Sequence, residues 1–192
     1  PVLPIIKKLN FNGCRVGQIV HAADFPYFDS ELIKQSCDVV GKWIIRSEPQ
    51  RALLNQKIGE KNVVTMFSGI PQYIVEKKPR IRRNVEKLLY VGALYKTKGV
   101  ETILKGMASC SEKYYLKIVG KGPDEAYFRN RVSELNLSER VEFVGYVPHE
   151  QVFSYMEDAD SLILISHETF GMVYVEAMSQ GCIPIGAFGE GI

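Results

Sequence analysis

Neither sign of charge prevails in the 192-residue sequence: Lys plus Arg number 24, Asp plus Glu 22, for a formal net charge of +2. That balance excludes a general nucleic-acid binder, which needs concentrated positive charge. Cysteine is sparse and unpaired in spacing. Cys14, Cys37, Cys110 and Cys182 are scattered, with no CxxC and no Cys/His cluster. This favours ordinary buried thiols in a reducing compartment over disulfides or a zinc site. No apolar run approaches the roughly 20 residues that span a bilayer. The opening PVLPIIKKLN lacks the layout of a secretory signal. No internal repeat or low-complexity tract appears. The absences point to a cytoplasmic chain, with peripheral association at the inner face of a membrane left open.

What is present is a core and a strong alternation. Hydrophobic residues make up 46% of the sequence, enough for a large domain or parts of two. Apolar strands are predicted at Val16–His21, Val39–Ile45, Val63–Phe67, Lys87–Val91, Tyr115–Val119, Val141–Val144, Ser161–Ile165 and Cys182–Ile185. Amphipathic helices are predicted between them at Ser30–Ser36, Glu48–Ile58, Val100–Cys110, Glu125–Leu135, Glu150–Glu157 and Met172–Gln180. Strands alternating with helices are the signature of βαβ units and a parallel sheet. Pro123-Asp124 and Pro148-His149 supply helix starts, and Gly59 and Gly181 helix stops. The run Glu76 to Arg83 is charged and broken by Pro79, so it reads as a solvated linker. The chain begins at Pro1 rather than Met and stops in a glycine-rich loop, so the expectation is a fragment.

The stretch SHETFGMVYVEAMSQGCIPIGAFGEGI, from Ser166 to Ile192, carries the most chemistry. Glu168 and Glu176 stand eight positions apart on either side of Phe170-Gly171. The order is a strand end, a loop with one carboxylate, a helix start with a glycine, and a second carboxylate within the helix. A helix N-terminus offers unpaired N–H groups and partial positive charge, which suit a diphosphate. Carboxylates accept hydrogen bonds from sugar or ribose hydroxyls. Glu176 is set among Val173, Val175, Ala177 and Met178, an awkward place for a merely solvated charge.

Four segments, the last of them within this stretch, fall in a fixed order: YVGALYKTKGVETIL, LKIVGKGPDE, VEFVGYVPHEQVFSYMEDADSLILIS and HETFGMVYVEAMSQGCIPI. Together they resemble the nucleotide-binding half of retaining GT-B glycosyltransferases of group 1, glycosyltransferase family four. The earlier CDVVGKWIIRSEPQRALLNQKIGEKNVVTMFSGI resembles the end of the family's acceptor-side domain, and the resemblance covers roughly Cys37 onward. It implies an α/β fold of GT-B type, with Rossmann-like parallel sheets flanked by helices. Residues 1–75 would form part of an N-terminal acceptor-side domain, 76–84 a linker, and 85–192 a truncated C-terminal nucleotide-sugar-binding domain.

The resemblance also implies roles. Gly92 and Lys98 would face the donor diphosphate, with Lys98 offsetting charge as the leaving group departs. The family arginine after the first glycine is Ala93 here, and Lys96 is a substitute to consider. Gly120 and Gly122 would flank the nucleotide, although a tight strand-to-helix turn explains a G-x-G equally well. Tyr146 and Val147 would hold the base, the alternative for Tyr146 being an exposed loop aromatic. Glu168 would contact the transferred sugar, and Thr169, Phe170, Gly171 and Met172 would present backbone N–H groups to sugar and phosphates. Glu176 would accept the ribose hydroxyls, and His21 is an acceptor-side candidate near the donor sugar.

The implied reaction moves a hexose from a UDP-, GDP- or ADP-sugar to a hydroxyl of a glycan, glycolipid or small molecule, with retention. Neither metal nor cofactor is expected. Asp158-Ala159-Asp160 superficially resembles a metal-binding Asp-x-Asp, yet it lies where the family carries a structural Ala-Asp. Two alternatives remain: a non-catalytic nucleotide- or sugar-binding module of the same fold, and a GT-B sugar-nucleotide epimerase.

Overall fold

The structure is a computed structural model that describes residues 16–19, 40–59, 63–66, 69, 84–166 and 171–188. The described residues fall into two compact units, one drawn from 1–68 and the other from 69–167 and 171–188. The first holds a three-stranded parallel sheet of β1 (Val16–Ile19), β2 (Val40–Ile45) and β3 (Val63–Thr65), in that order. Helix α1 (Glu48–Ile58) leaves β2 and stops at Gly59, whose N–H donates to the Asn55 carbonyl at 2.9 Å. Val40, Trp43 and Ile45 of β2 and Leu54 of α1 are buried. Arg51 ties the helix to β3, its Nε donating to Thr65 Oγ1 at 3.1 Å.

The second unit has a five-stranded parallel sheet. Along the chain come β4 (Lys87–Val91), a 3-10 turn (Lys96–Lys98), α2 (Val100–Ser109) and β5 (Tyr115–Val119). They are followed by α3 (Glu125–Glu134), β6 (Val141–Gly145), α4 (His149–Asp158), β7 (Ser161–Ile163), α5 (Met172–Ser179) and β8 (Ile183–Ile185). The spatial order is β6-β5-β4-β7-β8. The chain therefore builds outward from β4 on one side, then returns to build on the other. In an open α/β sheet the crevice for a ligand lies at such a reversal, beyond the carboxyl ends of the strands. Here it falls between the loops that follow β4 and β7.

Burial explains the elements. Leu89 and Tyr90 of β4, Leu116 and Ile118 of β5, and Leu162 of β7 are buried, as expected for strands covered by helices on both faces. In α2 the buried residues Val100, Ile103, Leu104 and Met107 follow helical spacing. Phe128 and Val132 of α3 and Met156 of α4 complete the same core.

The sheet's amino-terminal edge is tied by carboxylates. Asp160 accepts the N–H groups of Glu86 and Lys87 at 3.0 and 2.8 Å. Asp158 pairs with Lys87 Nζ at 2.7 Å and Lys117 Nζ at 3.5 Å. The hydrogen bond from Lys87, foremost, holds the Asp158 carboxyl below its ordinary value.

Several boundaries differ from the sequence expectation. The strand predicted over Ser161–Ile165 ends at Ile163, although Leu164 N–H still donates to Ile185 at 3.0 Å. Cys182 is not part of β8, because its N–H closes the end of α5 on the Ala177 carbonyl. The strand expected to reach Phe67 ends at Thr65, with Met66 N–H still bonded to Ile45. Helix α4 begins one residue earlier than expected, at His149. The helix predicted over Ser30–Ser36, and the linker residues 76–83, lie outside the described residues.

Candidate functional site

Three loops converge at the carboxyl edge of the second sheet. Gly92, just after β4, donates its N–H to Val119 at 3.0 Å. Gly120, just after β5, donates to the Gly145 carbonyl at the end of β6 at 2.8 Å. The register between β5 and β6 shifts there, pairing Ile118 with Phe143 but Val119 with Gly145. Such bulges re-aim backbone next to functional sites. Gly120 has φ +135°, and a Cβ on it would lie 2.0 Å from the Gly92 carbonyl oxygen. Only glycine lets these two loops touch. A Cβ on Gly122 would lie 2.4 Å from the Leu94 carbonyl oxygen. The G-x-G is thus a close backbone crossing between the β4 and β5 loops, beyond what a tight turn alone requires.

The β4 loop continues into the 3-10 turn, where Lys98 N–H donates to Tyr95 at 2.9 Å. The loop is fixed from below, since Asp124 Oδ2 accepts the Lys96 N–H at 2.9 Å. Asp124 thus caps the turn rather than its own helix. The Lys96 ammonium lies 4.4 Å over the Tyr127 ring. Lys96 is thus held on the α3 side, and Ala93 is exposed. On the β7 side, the Ile165 carbonyl oxygen packs so closely on Gly99 that a Cβ there would lie 2.3 Å away. The loops flanking the strand-order reversal are therefore in direct contact.

The β6 loop carries Tyr146, which is 67% exposed, with the Lys121 ammonium 5.3 Å from its ring centre. Val147 is half-buried beside it and Pro148 leads into α4. Gly171, buried with φ +63°, precedes α5 and packs on the Tyr174 ring. The Tyr174 hydroxyl donates to the Leu164 carbonyl at 2.6 Å, which anchors the start of α5 to the end of β7. Met172 is the first residue of that helix. Glu176 lies one turn further on, its side chain only 12% exposed, with Oε1 3.1 Å from His149 Nε2.

The structure thus brings Gly92, Lys98, Gly120, Gly122, Tyr146, Val147, Gly171 and Met172 to loops or helix starts at one edge of one sheet, with Glu176 one turn into the helix that Met172 begins. Glu168, Thr169, Phe170 and His21 lie outside the described residues. His149 entered the sequence reading only as helix-start chemistry. Its 27-residue separation from Glu176 carries no sequence signal. Asp158 and Asp160 stand at the opposite edge, engaged by lysines and backbone amides. Among the described residues no group of three His, Cys, Asp or Glu side chains could hold a metal ion. Among the same residues no helix is long and apolar enough to cross a membrane.

Residues 72–192, more than half of the chain, match the family described as glycosyl transferases group 1. An uncharacterized glycosyltransferase of Haemophilus influenzae is 28% identical over 162 residues, covering 82% of this chain and 43% of that protein. The 2-deoxystreptamine glucosyltransferase of Streptomyces kanamyceticus is 31% identical over 106 residues, covering 53% of this chain and 27% of that protein. The chain spans about half or less of the length of such curated relatives. Among solved structures, Anabaena HepE in complex with UDP superposes with a TM-score of 0.80 at 18% identity, covering 99% of this chain and 58% of that one. By the family match over residues 72–192 and the superposition on HepE, the chain belongs to the group 1 glycosyltransferases and has the GT-B fold.

Proposed function

We propose that this chain is the nucleotide-binding part of a retaining hexosyltransferase that moves a sugar from a nucleotide-diphosphate sugar to an acceptor hydroxyl. The observation that carries the reading is Glu176. A carboxylate with little exposure stands on the helix that follows the strand-order reversal, facing the start of α4 just after the β6 loop. Its remaining lone pairs suit the two ribose hydroxyls of a nucleotide. The base would rest against the Tyr146 loop and the diphosphate against the β4 loop, with Lys98 supplying positive charge. UDP in HepE and the glucosyl transfer named for the Streptomyces relative favour a nucleotide-linked hexose as donor.

In the proposed step the bond between the anomeric carbon and the phosphate oxygen breaks, and the diphosphate leaves with the electron pair. The acceptor oxygen bonds to the same face of that carbon, and its proton passes to the departing phosphate. The chain's contribution is positioning and stabilisation of the charge that develops on the diphosphate. Glu168 is assigned to the sugar, with Thr169 and Phe170 beside it, and His21 to the acceptor side. The acceptor is a glycan, a glycolipid or a small molecule, and the reading includes association with the inner face of a membrane. The reaction needs no resident cofactor or divalent ion, a reading that fits the engagement of Asp158 and Asp160 by Lys87, Lys117 and backbone amides. Residues 1–75 belong to the acceptor-side domain and 85–192 to the donor-side domain.

The test is release of nucleotide from UDP-, GDP- and ADP-hexoses by the full-length protein, followed by proton NMR of the product anomer. The expected result is turnover with one donor, unchanged by EDTA, and a product of unchanged anomeric configuration. An inverted product would overturn retention, and loss of turnover in EDTA would overturn metal independence. Binding without turnover would leave the non-catalytic module instead.

A further inference from the structure

The charge on Glu176 has a partner that the proposed chemistry does not use. His149 is the first residue of α4 and its ring nitrogen lies 3.1 Å from Glu176 Oε1. An ionised carboxylate only accepts hydrogen bonds, so the imidazole nitrogen facing it carries the proton. Among the described residues this is the one polar group bonded to the Glu176 side chain. The Glu176 side chain is 12% exposed and stands next to the buried Ala177, whereas His149 is 60% exposed. The ring is braced edge-on by Phe153, one turn along the same helix, with ring centres 5.2 Å apart. An exposed imidazole held in one orientation against a sheltered carboxylate is an arrangement for aiming that carboxylate.

We infer that His149 is a positioning residue: its Nε2–H holds one oxygen of Glu176 so that the carboxylate presents its other oxygen to the ribose hydroxyls of a bound nucleotide. The inference rests on the reading of Glu176 as the ribose acceptor. Its logic is one of lone pairs. A carboxylate offers about four acceptor positions. One hydrogen bond to His149 fixes the plane and leaves enough for a vicinal diol. Without it, the side chain must be ordered by the nucleotide at the moment of binding, at the expense of affinity. His149 also begins the helix that follows Tyr146 and Val147. The segment proposed to hold the base therefore reaches directly to the group proposed to hold the ribose.

The experiment titrates UDP, GDP and ADP by calorimetry into the full-length protein. The 2′-deoxy counterpart of the tightest binder is then titrated as well. Both ligands are next measured with the variants His149→Ala, His149→Gln and Glu176→Gln. His149→Ala should weaken the ribonucleotide about three- to tenfold, the scale of one net hydrogen bond whose donor is largely exposed. The deoxynucleotide should weaken less than about twofold, because it lacks one of the hydroxyls the carboxylate is aimed at. His149→Gln, whose amide donates at a similar reach, should restore most of the loss. Nitrogen-15 spectra of the ring should show the proton on Nε2 of His149. If His149→Ala weakens both ligands equally, or Gln fails to rescue, the positioning role is overturned while the ribose reading stands. If Glu176→Gln leaves the preference for the ribonucleotide intact, the ribose reading itself falls, and the inference with it.

Discussion

A methyl group at Gly120 would meet the Gly92 carbonyl oxygen at 2.0 Å, and the residue already sits at φ +135°. Both terms penalise any L side chain. Gly120→Ala should cost about 1–3 kcal/mol of stability, the range for a residue forced into a sparsely allowed conformation. It should weaken nucleotide binding as the β4 and β5 loops separate. Gly106 in α2 gives the matched control, since nothing lies within 4 Å of a Cβ built there. Gly106→Ala should raise stability by about 0.5–1 kcal/mol through helix propensity. Urea midpoints of the two variants check the pair, and equal shifts would contradict the geometric account. Residue-scale legibility was uneven. The apolar neighbours of Glu176 in the sequence already marked it as more than a surface charge, and the structure gives it little exposure. The bond to His149 was invisible, because periodicity describes neighbours within an element and not partners across two helices.

The two edges of the second sheet have different chemistry. At the amino-terminal edge, Asp158 binds Lys87 and Lys117 and closes α4 onto β4 and β5. The depressed folded value of Asp158 means that its contribution to stability is fully present above the ordinary aspartate value of 3.8, and is lost as pH falls through the lower folded value. Both side chains of the shorter pair are about half exposed, so Lys87→Met should cost only about 0.5 kcal/mol near neutral pH. The difference should shrink at a second, acidic pH well below 3.8, as protonation of the carboxylate removes the ion pair in the folded state as well. Chemical denaturation at the two pH values measures this, and a penalty that persists in acid would assign the loss to packing instead. Elements were largely legible because parallel strands and amphipathic helices write their burial into the sequence, as in Val100, Ile103, Leu104 and Met107 of α2. Their ends were less so. The end of β7 is set by Tyr174 bonding to Leu164 and the start of β8 by Cys182 closing α5, both long-range facts.

At the scale of the molecule, the position of the site follows from strand order. The alternation of strands and helices indicated a parallel sheet, but only the spatial order β6-β5-β4-β7-β8 locates the reversal beside β4. The motifs and the resemblance carried the functional reading because they are local text, while Glu168 and His21 fall outside the described residues. In the proposed function, this edge of the sheet seats a nucleoside diphosphate by its ribose on Glu176. The most direct measurement is a calorimetric titration of UDP, GDP and ADP into the wild-type protein and into Glu176→Gln. One nucleotide should bind the wild type, and the variant should bind it about tenfold or more weakly, as expected when hydrogen bonds to a charged group are lost. Equal affinity in the two proteins would contradict the account.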